Sequence, residues 1–210
     1  MGTYFGVGKQ LKAVKSSNKK RGRNITVGAV VGFLLSCTAV MGADENYLLI
    51  KKEGEEIKFS KNGTTAGTDN PYEENTWDGT EYVNNIALNS TSSGYGLKLE
   101  GDLGSINFTN NGLITTTRNS ESFGINNSLY ATIGNITNNG SIVVTGNGYS
   151  YGINNYGAIG NITNNGSITA NGSSDNYGID NSGTMGNITN NGSIAVTGNG
   201  YSYGIVNNVT

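Results

Sequence analysis

The stretch Ile162-Thr163-Asn164-Asn165-Gly166-Ser167-Ile168 decides the fold. It reads apolar, Asn, Gly, apolar at every second position, with short polar residues between. The same seven residues recur at 136–142 and 188–194, and a looser copy, FTNNGLI, occupies 108–114. Related units stand just before three of these: INNYGAI at 153–159, IDNSGTM at 179–185 and, more distantly, LKLEGDL at 97–103. In an extended chain alternate side chains share a face. The pattern therefore turns the Ile residues inward and sets Asn and Gly on the same side, at a bend between two short strands.

Outward from this unit, an aromatic-Gly-apolar step marks the repeat length. It falls at Tyr95, Phe123, Tyr151, Tyr177 and Tyr203, at spacings of 28, 28, 26 and 26 residues. The extra pair in the unit before Ile133 lies in Ser128-Leu129-Tyr130-Ala131, where a bend absorbs it without changing which residues face in. No window shows a 3.6-residue apolar period, and Gly and Asn recur too often for helix. The expectation is an all-β chain: a right-handed parallel β-helix (β-solenoid) of about 26–28 residues per rung, behind an N-terminal signal segment. Rungs stacked about 4.8 Å apart place like on like. Ile136, Ile162 and Ile188 form one row, continued by Phe108, and Ile142, Ile168 and Ile194 a second, continued by Ile114. A third runs through Ile153, Ile179 and Ile205. Asn138, Asn164 and Asn190 stack at the bend, each amide donating and accepting between rungs, and Asn also tolerates left-handed backbone. Gly140, Gly166 and Gly192 leave room where the wall turns inward.

Composition alone, with 33 Gly and 33 Asn in 210 residues, could suit a disordered chain. The strict placement of apolar residues and the repetition argue otherwise. Charge is unevenly placed. Seven Lys and Arg and no acidic residue fall in the first 43 positions, and 15 acidic against six basic residues fall after them. An acidic remainder argues against a nucleic-acid partner.

Three regions follow. Residues 1–43 read as an extended signal peptide: basic to position 23, apolar over 25–41, small at Gly42-Ala43, then a switch of charge at Asp44-Glu45. Two other readings stay open for it, an uncleaved membrane anchor and a lipid-modified Cys37 in a loose lipobox. Residues 44–94 read as an N-terminal cap merging into the first rung. A hairpin is expected there, with 47–50 and 55–59 as strands and Lys51 to Gly54 as the turn, followed by a turn-rich stretch anchored by Trp77 and Tyr82. Residues 95–210 are the β-helix array, which stops inside a repeat, so that the chain reads as truncated at its C-terminus.

Tandem GNITNNGSI and YGINNYGAI units behind an extended basic signal resemble the passenger region of autotransporter (type V secretion) outer-membrane proteins. The resemblance covers 1–43 and 95–210. It implies a pectin-lyase-like β-helix, export to the surface of a Gram-negative bacterium and, often, adhesion. It also implies export machinery acting through the signal. That family carries a C-terminal membrane β-barrel, and no such alternating strands occur here.

Chemistry-bearing motifs are sparse. With no His, and no Cys after position 37, the usual Zn and Cys-His sites are excluded. Gly146-Asn147-Gly148 and Gly198-Asn199-Gly200 are corner glycines, since no helix follows for a nucleotide loop. Asp175 and Asp180 are too isolated for a Ca²⁺-binding repeat. No catalytic residue, cofactor or metal is assigned. Lys98, Glu100, Asp102, Arg118, Glu121, Asp175 and Asp180 are read as solvated surface charges. The alternatives are a polysaccharide-acting β-helix enzyme, which needs some of these to converge, and a lipid-anchored surface structural protein. Tyr151 shares parity with Ile153 and is expected to fill the core or a corner. Tyr149, Tyr201 and Trp77 are the candidate contacts for a host or cell-surface glycan or protein.

Overall fold

The computed structural model describes residues 45–208. The expected signal segment 1–43 and Cys37 lie outside the described residues. The described chain is all-β and folds as a parallel β-solenoid of about five turns.

Three sheets run along it. The first stacks Tyr95–Glu100, Ser122–Asn127, Ser150–Asn155, Asn176–Asn181 and Ser202–Asn207 in parallel. The second stacks Glu81–Asn84, Asn107–Asn110, Thr132–Asn138 and Ala158–Asn164, then the short pieces Thr184–Met185 and Ile188–Asn190. The third stacks Leu88–Ser90, Leu113–Arg118, Ser141–Gly146, Ser167–Gly172 and Ser193–Gly198. Successive turns pair with offsets set by the repeat: Ile136 lies opposite Phe108 and Ile162, and Ile162 opposite Ile188. Ile114, Ile142, Ile168 and Ile194 make a second row in register, and Leu97, Ile125, Ile153, Ile179 and Ile205 a third. These rows meet inside as one apolar core.

Both the first and second sheets finish antiparallel at the N-terminal end. Leu48–Glu53 pairs in parallel with Tyr95–Glu100 and antiparallel with Glu56–Lys61. Thr76–Trp77 pairs antiparallel with Glu81–Asn84. The turn of the first hairpin is shorter than the sequence suggests. The strand continues through Glu53, whose carboxylate pairs with Lys51 and Lys58, and the reversal falls at Gly54, at φ 63°. Aromatic rings close this end of the core. Phe59 packs 5.3 Å from both Trp77 and Tyr82, and Tyr82 stacks on Phe108.

The bends are held by amides. Asn84, Asn110, Asn138, Asn164 and Asn190 form a column, each Nδ2 donating to the Oδ1 of the next rung at 2.7–2.8 Å. A second internal column, Asn127, Asn155, Asn181 and Asn207, has bonds of 2.6–2.7 Å. None of these Asn residues is left-handed; among the described residues the non-Gly positions with positive φ are Asn62 and Tyr130. The bend is made instead by close approach. A Cβ at Gly140, Gly166 or Gly192 would overlap the carbonyl oxygen of Gly112, Gly140 or Gly166 on the rung below.

Candidate functional site

The aromatic-Gly-apolar step shapes the outer surface of the first sheet. Ladder pairing joins Tyr151 to Tyr177 and Ile153 to Ile179 and skips Gly152. A Cβ on Gly152 would collide with Ile168 Cγ2, so this glycine faces the core, as does Ile153 beside it. Two consecutive inward positions break the alternation and turn Tyr151 outward. Tyr151 lies outside the Ile core cluster but is buried, 8% exposed, between Phe123 and Tyr177, so of the expected core or corner the structure gives the corner.

Tyr95, Phe123, Tyr151, Tyr177 and Tyr203 form a continuous stack on this outer face. Centroid separations are 5.4, 4.9, 4.9 and 5.2 Å, with the planes within 15°. Lys98 Nζ caps the first ring 5.1 Å above its centroid. Because ring faces are covered by ring faces, the strip shows solvent mainly edges and hydroxyls. Phe123 and Tyr151 are only 7% and 8% exposed. Such a strip glues rungs together and offers no flat platform to a ligand.

One position before the paired Ser122, Ser150, Asn176 and Ser202 stand Glu121, Tyr149, Asp175 and Tyr201. Tyr149 and Tyr201 thus lie on one line, with Asp175 between them. Tyr201 is 71% exposed, and its N–H donates to Asp175 Oδ1 at 3.0 Å. Trp77 is at the N-terminal end, edge-on to Phe59 and packed against the core, so the structure does not bring it together with the two tyrosines.

On the other flank, Lys98, Asn126, Asn154 and Asp180 are in register. Asp180 is not a solvated charge: it is 7% exposed, and burial raises its pKa. Asn154 Nδ2 donates to Asn126 Oδ1 at 2.8 Å, while Asn154 Oδ1 is buried without a partner on the side where Asp180 breaks the amide column. Burial also raises the pKa of Tyr151 and Tyr156, with further contributions from Glu121 and Asp180. Those two carboxylates do not form an acid–base pair. They stand two rungs and five residues apart in the ladder, roughly 19 Å between Cα atoms. Lys98 pairs with Glu100, Asp102 accepts from Gly104 N–H, and Arg118 donates to Ser93 O. Among the described residues no three His, Cys, Asp or Glu cluster as metal ligands.

The recess with free aromatic surface lies elsewhere. Asn127 pairs with Asn155 and Thr132 with Ala158, so residues 128–131 stand opposite only 156–157. The extra pair protrudes as a knuckle. Leu129 is 61% and Tyr130 84% exposed, and Tyr130 sits at φ 64°. For a residue with Cβ this backbone costs about 1–2 kcal/mol. The knuckle borders a shallow cleft of about 300 Å³, lined also by Thr132, Tyr156, Gly157, Ala158, Gly183 and Thr184. The sequence locates this bend by its two extra residues; that Leu129, Tyr130 and Tyr156 face a common cleft follows only from stacking the turns.

No family model, curated protein or solved structure matches the chain.

Proposed function

We propose that this chain is a non-catalytic, surface-displayed passenger segment of an exported autotransporter-type protein, working in adhesion or another cell-surface interaction. One observation carries the reading: a solenoid of about five turns whose inward positions are given to Ile rows and Asn columns, with its outward charged groups dispersed. Such an array holds a long surface rigid and displays it. The extended basic and apolar segment 1–43 supplies the export half of the reading. In this reading the partners are the export machinery and a glycan or protein on an opposing surface, and membrane attachment goes through a β-barrel domain. An acidic solenoid disfavours nucleic acid. The polysaccharide-enzyme alternative needs several charged groups converging in one groove, and the ladder separation of Glu121 from Asp180 supports the non-catalytic reading over it.

Protease treatment of intact producing cells tests the proposal. Cleavage of the solenoid on intact cells, together with mature protein beginning near Ala43, is the expected result. Full protection until the cells are lysed, with 1–43 retained, would overturn it.

A further inference from the structure

We propose that the cleft beside the 128–131 knuckle is a binding site for an uncharged saccharide. The proposal rests on the surface-interaction reading and names its ligand class and its place. Three features converge there. The first is free aromatic surface. Tyr130 and Tyr156 are the exposed rings at this cleft, 84% and 43%, and both lie outside the stack that covers the faces of Tyr151 and Tyr177. A pyranose presents an apolar C–H face that packs on such rings. The second is the rim. Leu129, Ala131 and Ala158 add apolar surface for C–H faces, and the hydroxyls of Thr132 and Thr184 at the same cleft can donate to and accept from sugar hydroxyls.

The third is charge. The lining residues are all uncharged, and the ionisable groups that act on Tyr156 are the carboxylates of Glu121 and Asp180. An acidic glycan would meet like charge and lose hydration without a counter-ion. Tyr130 adds an independent sign. An aromatic side chain is held at φ 64° in solvent, where Gly would be relaxed, so its ring is displayed at a conformational cost. At about 300 Å³ the cleft is at the lower end of small-ligand sites, which points to one or two sugar rings.

The test is amide-resolved NMR titration of the full chain with methyl β-D-glucopyranoside, methyl β-D-galactopyranoside, methyl α-D-mannopyranoside and cellohexaose, with polygalacturonate as the acidic probe. At least one neutral probe should give saturable shifts confined to 129–132, 156–158 and 183–184. Tyr130→Gly suits the backbone and removes the ring, so it should fold normally and weaken binding roughly tenfold, as should Tyr156→Ala. Asn165→Ala, at an exposed position that does not line the cleft, should leave affinity within about twofold. No shift at these amides by ~10 mM of every neutral probe, tighter binding of polygalacturonate at the cleft, or full affinity in folded Tyr130→Gly would each overturn the proposal. The protease assay on intact cells reads surface display separately: a cleft that binds no sugar leaves that result standing, and retention inside the cell leaves the titration interpretable.

Discussion

Asn164 is fully buried and accepts from Asn138 Nδ2 while donating to Asn190 Oδ1, each at 2.7 Å, and to Ser193 O at 3.1 Å. Truncation to Ala strands polar atoms on two neighbouring rungs and should cost about 2–3 kcal/mol. Asn165 makes an outwardly similar column on the exposed side, donating to Asn139 at 2.9 Å. There water replaces the lost bond, so Asn165→Ala should cost under about 0.5 kcal/mol. Urea midpoints of the two variants measure the contrast, and equal losses would show that burial is not what gives the internal column its value. Asp180 behaves oppositely. Its folded pKa is raised by burial, so folding takes up a proton: the contribution is fully present below the unfolded carboxylate pKa and is lost as pH rises through the raised value. Asp180→Asn removes the buried charge and offers a donor to Asn154 Oδ1. The variant should gain about 1–2 kcal/mol near neutral pH and little in acid, where a protonated Asp180 already donates. Stability curves of the two proteins against pH decide it; a gain of the same size at both ends would count against the buried-carboxyl explanation.

The loop 90–94 owes its shape to a residue far away in sequence. The Glu45 carboxylate accepts from the backbone N–H groups of Thr91, Ser92 and Ser93 and from the hydroxyls of Ser90 and Thr91, at 2.8–3.1 Å. Burial alone would raise its pKa, but these bonds, led by Thr91 and Ser93, outweigh that and hold it at about 2. The sign here is that of a depressed acid: stability is present above the ordinary value of 4.5 and is lost as pH falls towards about 2. Glu45→Gln should cost about 1–2 kcal/mol at neutral pH, allowing for solvent screening, and should flatten that acid limb. Amide exchange at Thr91 to Ser93 should accelerate in the variant. Nothing in the sequence announces this clamp, because it joins positions 46 apart with no periodic signal. The strands of the array, by contrast, were legible, since rungs in register repeat the Ile-Asn-Gly spacing that stacking demands. What failed was the assumption of unbroken alternation through Tyr151-Gly152-Ile153. The inward side of Gly152 is set against Ile168 on another sheet, and only the stacked turns reveal it. The second Asn column was visible in INNYGAI and IDNSGTM once the bend was understood as a repeated device. The cleft was not, because its walls come from different turns.

A solenoid distributes stability by nearest neighbours, so a side chain counts for as much as the turns on either side of it. Ile142 has Ile114 and Ile168 in register above and below and is fully buried. Ile194 pairs with Ile168 and is only half-buried, and Ile205, in register with Ile179, is 47% exposed. The same substitution should therefore read out position rather than chemistry. Ile142→Ala leaves a cavity inside a closed stack and should cost about 3–4 kcal/mol, whereas Ile194→Ala removes a side chain that water already reaches and should cost about 1–1.5 kcal/mol. Hydrogen exchange in the 210-residue chain should follow the same gradient, with slow amides from Ile125 to Ile168 and progressively faster ones through Ile188, Ile194 and Ile205. Association between copies at that last turn would cover these positions, making their protection depend on protein concentration, since an exposed β-ladder recruits another strand. Measurement at two concentrations separates the cases. Fast, concentration-independent exchange beyond Ile188 is the expected result for a monomer, and protection there equal to that of Ile142 in a dilute monomeric sample would show that neighbour stacking does not set local stability in this array.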